Sequence, residues 1–73
     1  MLPYKNLRIA LKFAEPEIKQ SDLAKHLGAS LAHVNHLMNG HRPWRLDEAY
    51  ATLDLIGADQ SEFTKYFPKG EGR

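Results

Sequence analysis

Gln20–Gly40, QSDLAKHLGASLAHVNHLMNG, is the stretch whose reading decides the fold. Leu23, Ala24 and Leu27 recur at helical spacing and define the inner face of a short helix running from about Gln20 to Leu27. Its start is poorly signalled, because Lys19 is not an N-cap residue. Gly28 supplies a position where the chain takes positive φ without side-chain cost, as a sharp helix exit requires. Ser30 then offers a hydroxyl to cap a second helix. At about 100° per residue, Val34, Leu37 and Met38 fall together on one side of that helix, with Leu31 near the edge. Ala32, Asn35, His36 and Asn39 fall on the other side, and His33 flanks them. The reading is a short helix, a tight turn and a second helix with an apolar back and a polar front.

Outward from this segment the chain reads as all helical. A first helix from about Tyr4 to Phe13 carries Leu7, Ala10, Leu11 and Ala14, with Ile9 and Phe13 broadening its apolar face. Glu15-Pro16-Glu17 interrupts it, since proline loses a helix hydrogen bond and clashes with the preceding turn. After Gly40 comes the loop HRPWRL, in which Pro43 stiffens the approach to a fourth helix from Leu46 or Asp47 to Ile56. That helix is expected to present Leu46, Ala49, Tyr50, Leu53 and Ile56 to the core, with Gly57 ending it. Asp59 followed by Glu62 is an N-terminal cap signature for a last short helix containing Phe63, Tyr66 and Phe67, stopped by Pro68. Residues 1–73 are expected to form one domain, with a flexible tail over 68–73.

Composition narrows the function classes. With 73 residues and no cysteine, the chain can bury one modest core and has no disulfide or thiolate chemistry. Apolar residues never form a long uninterrupted run, and MLPYKNLRIALKFAEPE lacks the layout of a signal peptide, so a cytoplasmic location is expected and no membrane partner. The net charge of +1 conceals a polarity. Residues 1–45 carry seven basic against three acidic side chains, net +4, whereas residues 46–73 carry three against six, net −3. A positive region of this kind attracts a phosphate backbone, while the negative region limits indiscriminate nucleic-acid binding.

The polar front of the second helix has the chemistry that reading duplex DNA requires. The major groove, about 12 Å wide, admits one helix, and amide, imidazole and small apolar side chains meet base-edge donors, acceptors and thymine methyls. Arg42 and Arg45 in the following loop suit phosphate contact, because the guanidinium fork supplies several donors. The bland counterpart is a helical hairpin with a solvated face, in which Asn39 and Gly40 are a C-terminal cap pair and the arginines a plain rim. Trp44 and Tyr50 read as packing residues. Four histidines raise a metal or catalytic reading, but there is no H-E-x-x-H, no nearby carboxylate cluster and no P-loop, so neither a metal, a cofactor nor an enzyme is expected.

Gln20, Leu23, Ala24, Leu27, Gly28, Ser30, Val34, Leu37, Asn39 and Gly40 together spell Q-x-x-L-A-x-x-L-G-x-S-x-x-x-V-x-x-L-x-N-G, which Leu46, Ala49, Leu53, Gly57 and Phe63 continue. Over roughly Leu7 to Phe67 the chain resembles the lambda-repressor-like (Cro and phage repressor) helix-turn-helix family. The resemblance implies a compact five-helix DNA-binding domain with its helix-turn-helix in helices 2 and 3. It implies base reading by Leu31, Ala32, His33, Asn35 and His36, and phosphate contact by Gln20, Asn39, Arg42 and Arg45, with Gln20 also bracing the recognition helix. Leu31 departs from the pattern where phage repressors often place glutamine. Specificity is therefore expected to rest on methyl contact, Asn35, the histidines and DNA shape.

The implied activity is transcriptional repression by a homodimer on a palindromic operator, its interface drawn from Phe63, Tyr66 and Phe67. A bacterial regulator or a phage protein acting in the host cytoplasm fits. An antitoxin paired with a toxin, and a helical protein-interaction module without DNA specificity, are the alternatives.

Overall fold

The computed structural model describes residues 2–68. Five α-helices follow in order: α1 (Lys5–Lys12), α2 (Gln20–Leu27), α3 (Leu31–Met38), α4 (Leu46–Ile56) and, after a 3₁₀ turn over Gln60–Glu62, α5 (Phe63–Tyr66). The remainder of the expected tail, beyond Pro68, lies outside the described residues. The first helix is one residue shorter at each end than its apolar pattern, because Tyr4 and Phe13 serve as its caps. Among the described residues no helix is long and apolar enough to cross a membrane.

Each boundary has a local cause. α2 starts after Lys19, whose side chain makes no cap hydrogen bond, because Asp22 in the first turn reaches back and its Oδ2 accepts the Lys19 N–H at 2.9 Å. Gly28 ends α2 in the left-handed region at φ 66°, and Ala29 N–H closes the helix on the Ala24 carbonyl at 2.9 Å. Ser30 Oγ accepts the His33 N–H at 3.1 Å and starts α3. Glu48 serves α4 as Asp22 serves α2, accepting the Arg45 N–H at 3.0 Å. At the last turn Asp59 Oδ2 accepts the Ser61 N–H at 2.9 Å while Glu62 Oε2 accepts the Asp59 N–H at 3.3 Å.

The core is built by α1, α2, α3 and α4 around Leu7, Leu11, Leu23, Val34, Met38 and Leu53. α2 packs against both α3 and α4, and α1 against α5. An aromatic cluster closes the far end. Trp44 meets Phe67 edge to face at 4.8 Å between centroids, and Tyr4 meets Trp44 at 6.0 Å. Tyr4 enters this cluster from a left-handed backbone, φ 57°, a conformation that a side chain with Cβ adopts only where packing compensates. Asn6 Nδ2 donates to the Lys65 carbonyl at 3.1 Å and ties α1 to α5.

Several core expectations need correction. Leu46 is 66% exposed and Tyr50 40% exposed, whereas Thr52 is fully buried beside Ala49 and Leu53. The inner stripe of α4 runs through residues 49, 52, 53 and 56; Leu46 and Tyr50, four apart, form a separate strip one step round the helix. Thr52 is tolerated inside because its hydroxyl donates to the Glu48 carbonyl at 2.8 Å. On α1 the apolar face is narrower than the composition implies, with Ile9 and Phe13 both exposed.

Candidate nucleic-acid interface

α3 stands on a buried base of Val34, Leu37 and Met38, each 1% exposed or less. Its other side leaves Leu31, Ala32 and Asn35 exposed and His36 half-buried. Arg42 and Arg45 are exposed in the loop that follows, and Gln20 and Asn39 are half-buried at its flanks. The structure thus brings Gln20, Asn35 and Asn39 together and keeps the arginines accessible.

A line of hydrogen bonds runs across this surface. Asn35 Nδ2 donates to Gln20 Oε1 at 3.4 Å, and Asn39 Nδ2 donates to Asn35 Oδ1 at 3.0 Å. Asn39 Oδ1 in turn accepts from Arg8 Nη2 at 3.1 Å. Arg8 also donates to the Met38 carbonyl at 2.6 Å and, through Nε, to the Pro3 carbonyl at 2.8 Å. The Met38 carbonyl is one of the four that a helix leaves unpaired at its C-terminal end, where a cation also opposes the negative pole of the helix. Arg8 therefore fastens the end of α3 to α1, and its amide chain fixes the orientation of Asn35.

Asn35 keeps bonding capacity after these contacts. A primary amide has two N–H donors and two acceptor lone pairs. Gln20 takes one donor and Asn39 one lone pair, leaving one of each.

His33 occupies a different position from its helical neighbours. Its Nε2 lies 2.8 Å from Glu48 Oε2, and Arg42 Nη1 lies 2.7 Å from its Nδ1. With the ring neutral and its proton on Nε2, both contacts are satisfied: Nε2–H donates to the carboxylate and Nδ1 accepts from the guanidinium. His33 therefore bridges α3 to α4 and holds Arg42, and its ring nitrogens are occupied by protein groups. His36 lies over His41, ring centroids 5.9 Å apart. The Arg45 side chain makes an exposed contact to Asp47, Nε to Oδ1 at 3.4 Å, a pair of small energetic value.

Of the three aromatic residues expected at an interface between copies, Phe67 is 8% exposed and belongs to the core of its own chain. Phe63 and Tyr66 are half-buried. Phe63 faces Tyr50 at 5.3 Å between centroids, so Tyr50 and Leu46 extend the apolar surface at this end. Among the described residues no group of three or more His, Cys, Asp and Glu side chains is placed to hold a metal ion.

Arg8 and Glu48 are the residues that sequence reasoning missed. Arg8 is 30 residues from its carbonyl partner Met38 and carries no motif. Glu48 was legible only as a first-turn acid three residues after Arg45, a helix-start signal. Comparison with family models, with curated proteins and with solved structures finds no match for this chain.

Proposed function

We propose that this chain is a sequence-specific duplex-DNA-binding transcriptional regulator, in which α2 and α3 form a lambda-repressor-like helix-turn-helix with α3 as the recognition helix. The single observation that carries the reading is the state of Asn35: exposed, hydrogen-bonded to Gln20 on one side and Asn39 on the other, and retaining one donor and one acceptor. That pair matches the N7 acceptor and N6 donor of adenine in the major groove. A side chain already held in one orientation loses little entropy when it docks.

The neighbouring groups have complementary roles. Ala32 and Leu31 offer apolar surface to thymine methyls, and His36 a further polar contact. Arg42, Arg45 and Gln20 meet phosphates, with His33 positioning Arg42 for that contact. The regulator acts as a homodimer and represses by occupying its operator. The molecule measures 29 × 27 × 25 Å, a width that allows two copies side by side to set their recognition helices about 34 Å apart, one turn of DNA. Leu46, Tyr50, Phe63 and Tyr66 supply the apolar surface for that pairing.

The test is binding of purified protein to a pool of random duplexes over a salt series. The expected result is enrichment of an inverted repeat containing adenine at the Asn35 position. Affinity should fall steeply with salt, by a log–log slope of about −0.9 per phosphate contacted. The double variant Asn35→Ala, His36→Ala should lose the preference while keeping its melting temperature. Folded protein that retains no duplex at low salt ends the reading.

A further inference from the structure

A groove of about 570 Å³ lies between the segment joining α1 to α2 and the C-terminal end of α4. Its floor is aliphatic: Ile18, Leu55 and Ile56 are half-buried against the core, with Pro16 beside them. Its rim carries Glu15, Glu17, Asp22 and Asp54, and no lysine or arginine lines it. All four carboxylate residues are exposed, and the ion pairs among the described residues lie elsewhere, at Glu48, Asp47 and Glu62. None of Leu31, Ala32, Asn35, His36 and Arg42 takes part.

A second feature has the same sign. α4 places Asp54 in its last turn and has no basic residue there. The C-terminal pole of a helix is negative, so a carboxylate at that end is locally unfavourable and a cation favourable. The groove thus combines a half-exposed apolar floor, four carboxylates without an ion-pair partner among the described residues, and an uncompensated helix pole. The carboxylates are spread along the rim and do not gather into a metal site. Charge distributed along an apolar trough matches a ligand that is itself extended, apolar on one side and cationic on its edges.

We infer that this groove is a docking site for a cationic amphipathic helix of a partner protein. Leucine-like side chains on one face of that helix cover Ile18, Leu55 and Ile56, while lysines or arginines flanking the face meet Glu15, Glu17, Asp22 and Asp54. Asp54, at the helix pole, gains most from a cation. The described residues form no strand, so no sheet edge offers an extended peptide a competing mode of attachment. The inference does not depend on the DNA reading, because the two surfaces use different residues.

The experiment titrates ¹⁵N-labelled protein with a synthetic leucine–lysine amphipathic peptide of about eighteen residues, five helical turns. Two control peptides carry glutamate in place of lysine, or serine in place of leucine. The expected result is saturable amide shifts confined to Ala14–Ile18, Asp22 and Asp54–Gly57 with the first peptide, no binding of the glutamate peptide and much weaker binding of the serine peptide. The charge-reversed variant Glu15→Lys, Asp54→Lys should bind the first peptide roughly tenfold more weakly, with its affinity changing less with salt. The single variant Asp54→Lys should melt no lower than the natural chain, since it now opposes the helix pole. That keeps a loss of binding distinct from a loss of fold. Shifts scattered over the surface, equal binding of the serine peptide, or a charge-reversed variant within twofold of the natural chain would overturn the proposal. A chain that passes this test yet ignores DNA would retain the groove and lose only the DNA reading.

Discussion

Replacing Arg8 with methionine isolates what holds the C-terminal end of α3 in place. Methionine keeps an apolar stem of similar reach and removes three donated hydrogen bonds, to the carbonyls of Pro3 and Met38 and to Asn39 Oδ1. A hydrogen bond from a charged donor contributes about 1.5–3 kcal/mol when its acceptor is otherwise unpaired. Arg8 is half-buried, so water replaces part of what is lost. The Met38 carbonyl, at the end of a helix whose last residue is 1% exposed, is the acceptor least able to find water. A loss of about 2 kcal/mol follows, taking that carbonyl at the charged-donor value and the other two acceptors as largely rehydrated. For a domain of this size that lowers the melting temperature by roughly 8–16 °C.

Thermal unfolding followed by circular dichroism measures the loss directly, and Arg8→Lys should fall between the two, since an ammonium keeps the charge without the planar fork. Duplex binding measured well below both melting points should also weaken, because Asn39 loses its anchor and no longer fixes Asn35. A melting temperature for Arg8→Met within about 3 °C of the natural chain refutes the reasoning, as it would mean that the end of α3 is held by packing alone.

Gly28→Ala and Gly57→Ala should each cost about 1 kcal/mol and by similar amounts, because both glycines sit in the left-handed region with no atom within 4 Å of an added Cβ; a stabilising result in denaturant titrations would contradict the assigned backbone. Leu37→Ala, at a fully buried position, should lose about 2–5 kcal/mol and leave little folded protein at 37 °C by circular dichroism. If copies pair as proposed, Tyr50→Glu should shift sedimentation equilibrium toward monomer with the melting curve of the dilute protein nearly unchanged, whereas an unaltered association constant would remove Tyr50 from the proposed pairing surface. Asp59 is held below the ordinary aspartate range by hydrogen bonds from the Ser61 side chain and then the Ser61 backbone N–H. Its contribution is therefore fully present above the ordinary aspartate value and is lost as pH falls through the lower folded one. NMR titration should show that depression in the natural chain and its disappearance in Ser61→Pro, which removes both donors.

The sequence by itself determined the parts of this protein that local chemistry controls. The end of α2 and the start of α3 were legible because Gly28, lacking a Cβ, permits a left-handed exit and Ser30 offers a hydroxyl cap, and the buried base of Val34, Leu37 and Met38 followed from helical period alone. The exposure of Ala32 and Asn35 was the other half of the same pattern. Only the tertiary structure decided what each exposed side chain does. Leu46 and Tyr50 carry core-like chemistry yet lie outside, because α4 packs on α2 through only one of its two adjacent apolar strips. His33 is turned to Glu48, and Arg8 to the end of α3, across separations of 15 and 30 residues that no periodicity records. Period and capping act within a few residues, whereas hydrogen-bond partners depend on which helix ends the packed core brings together.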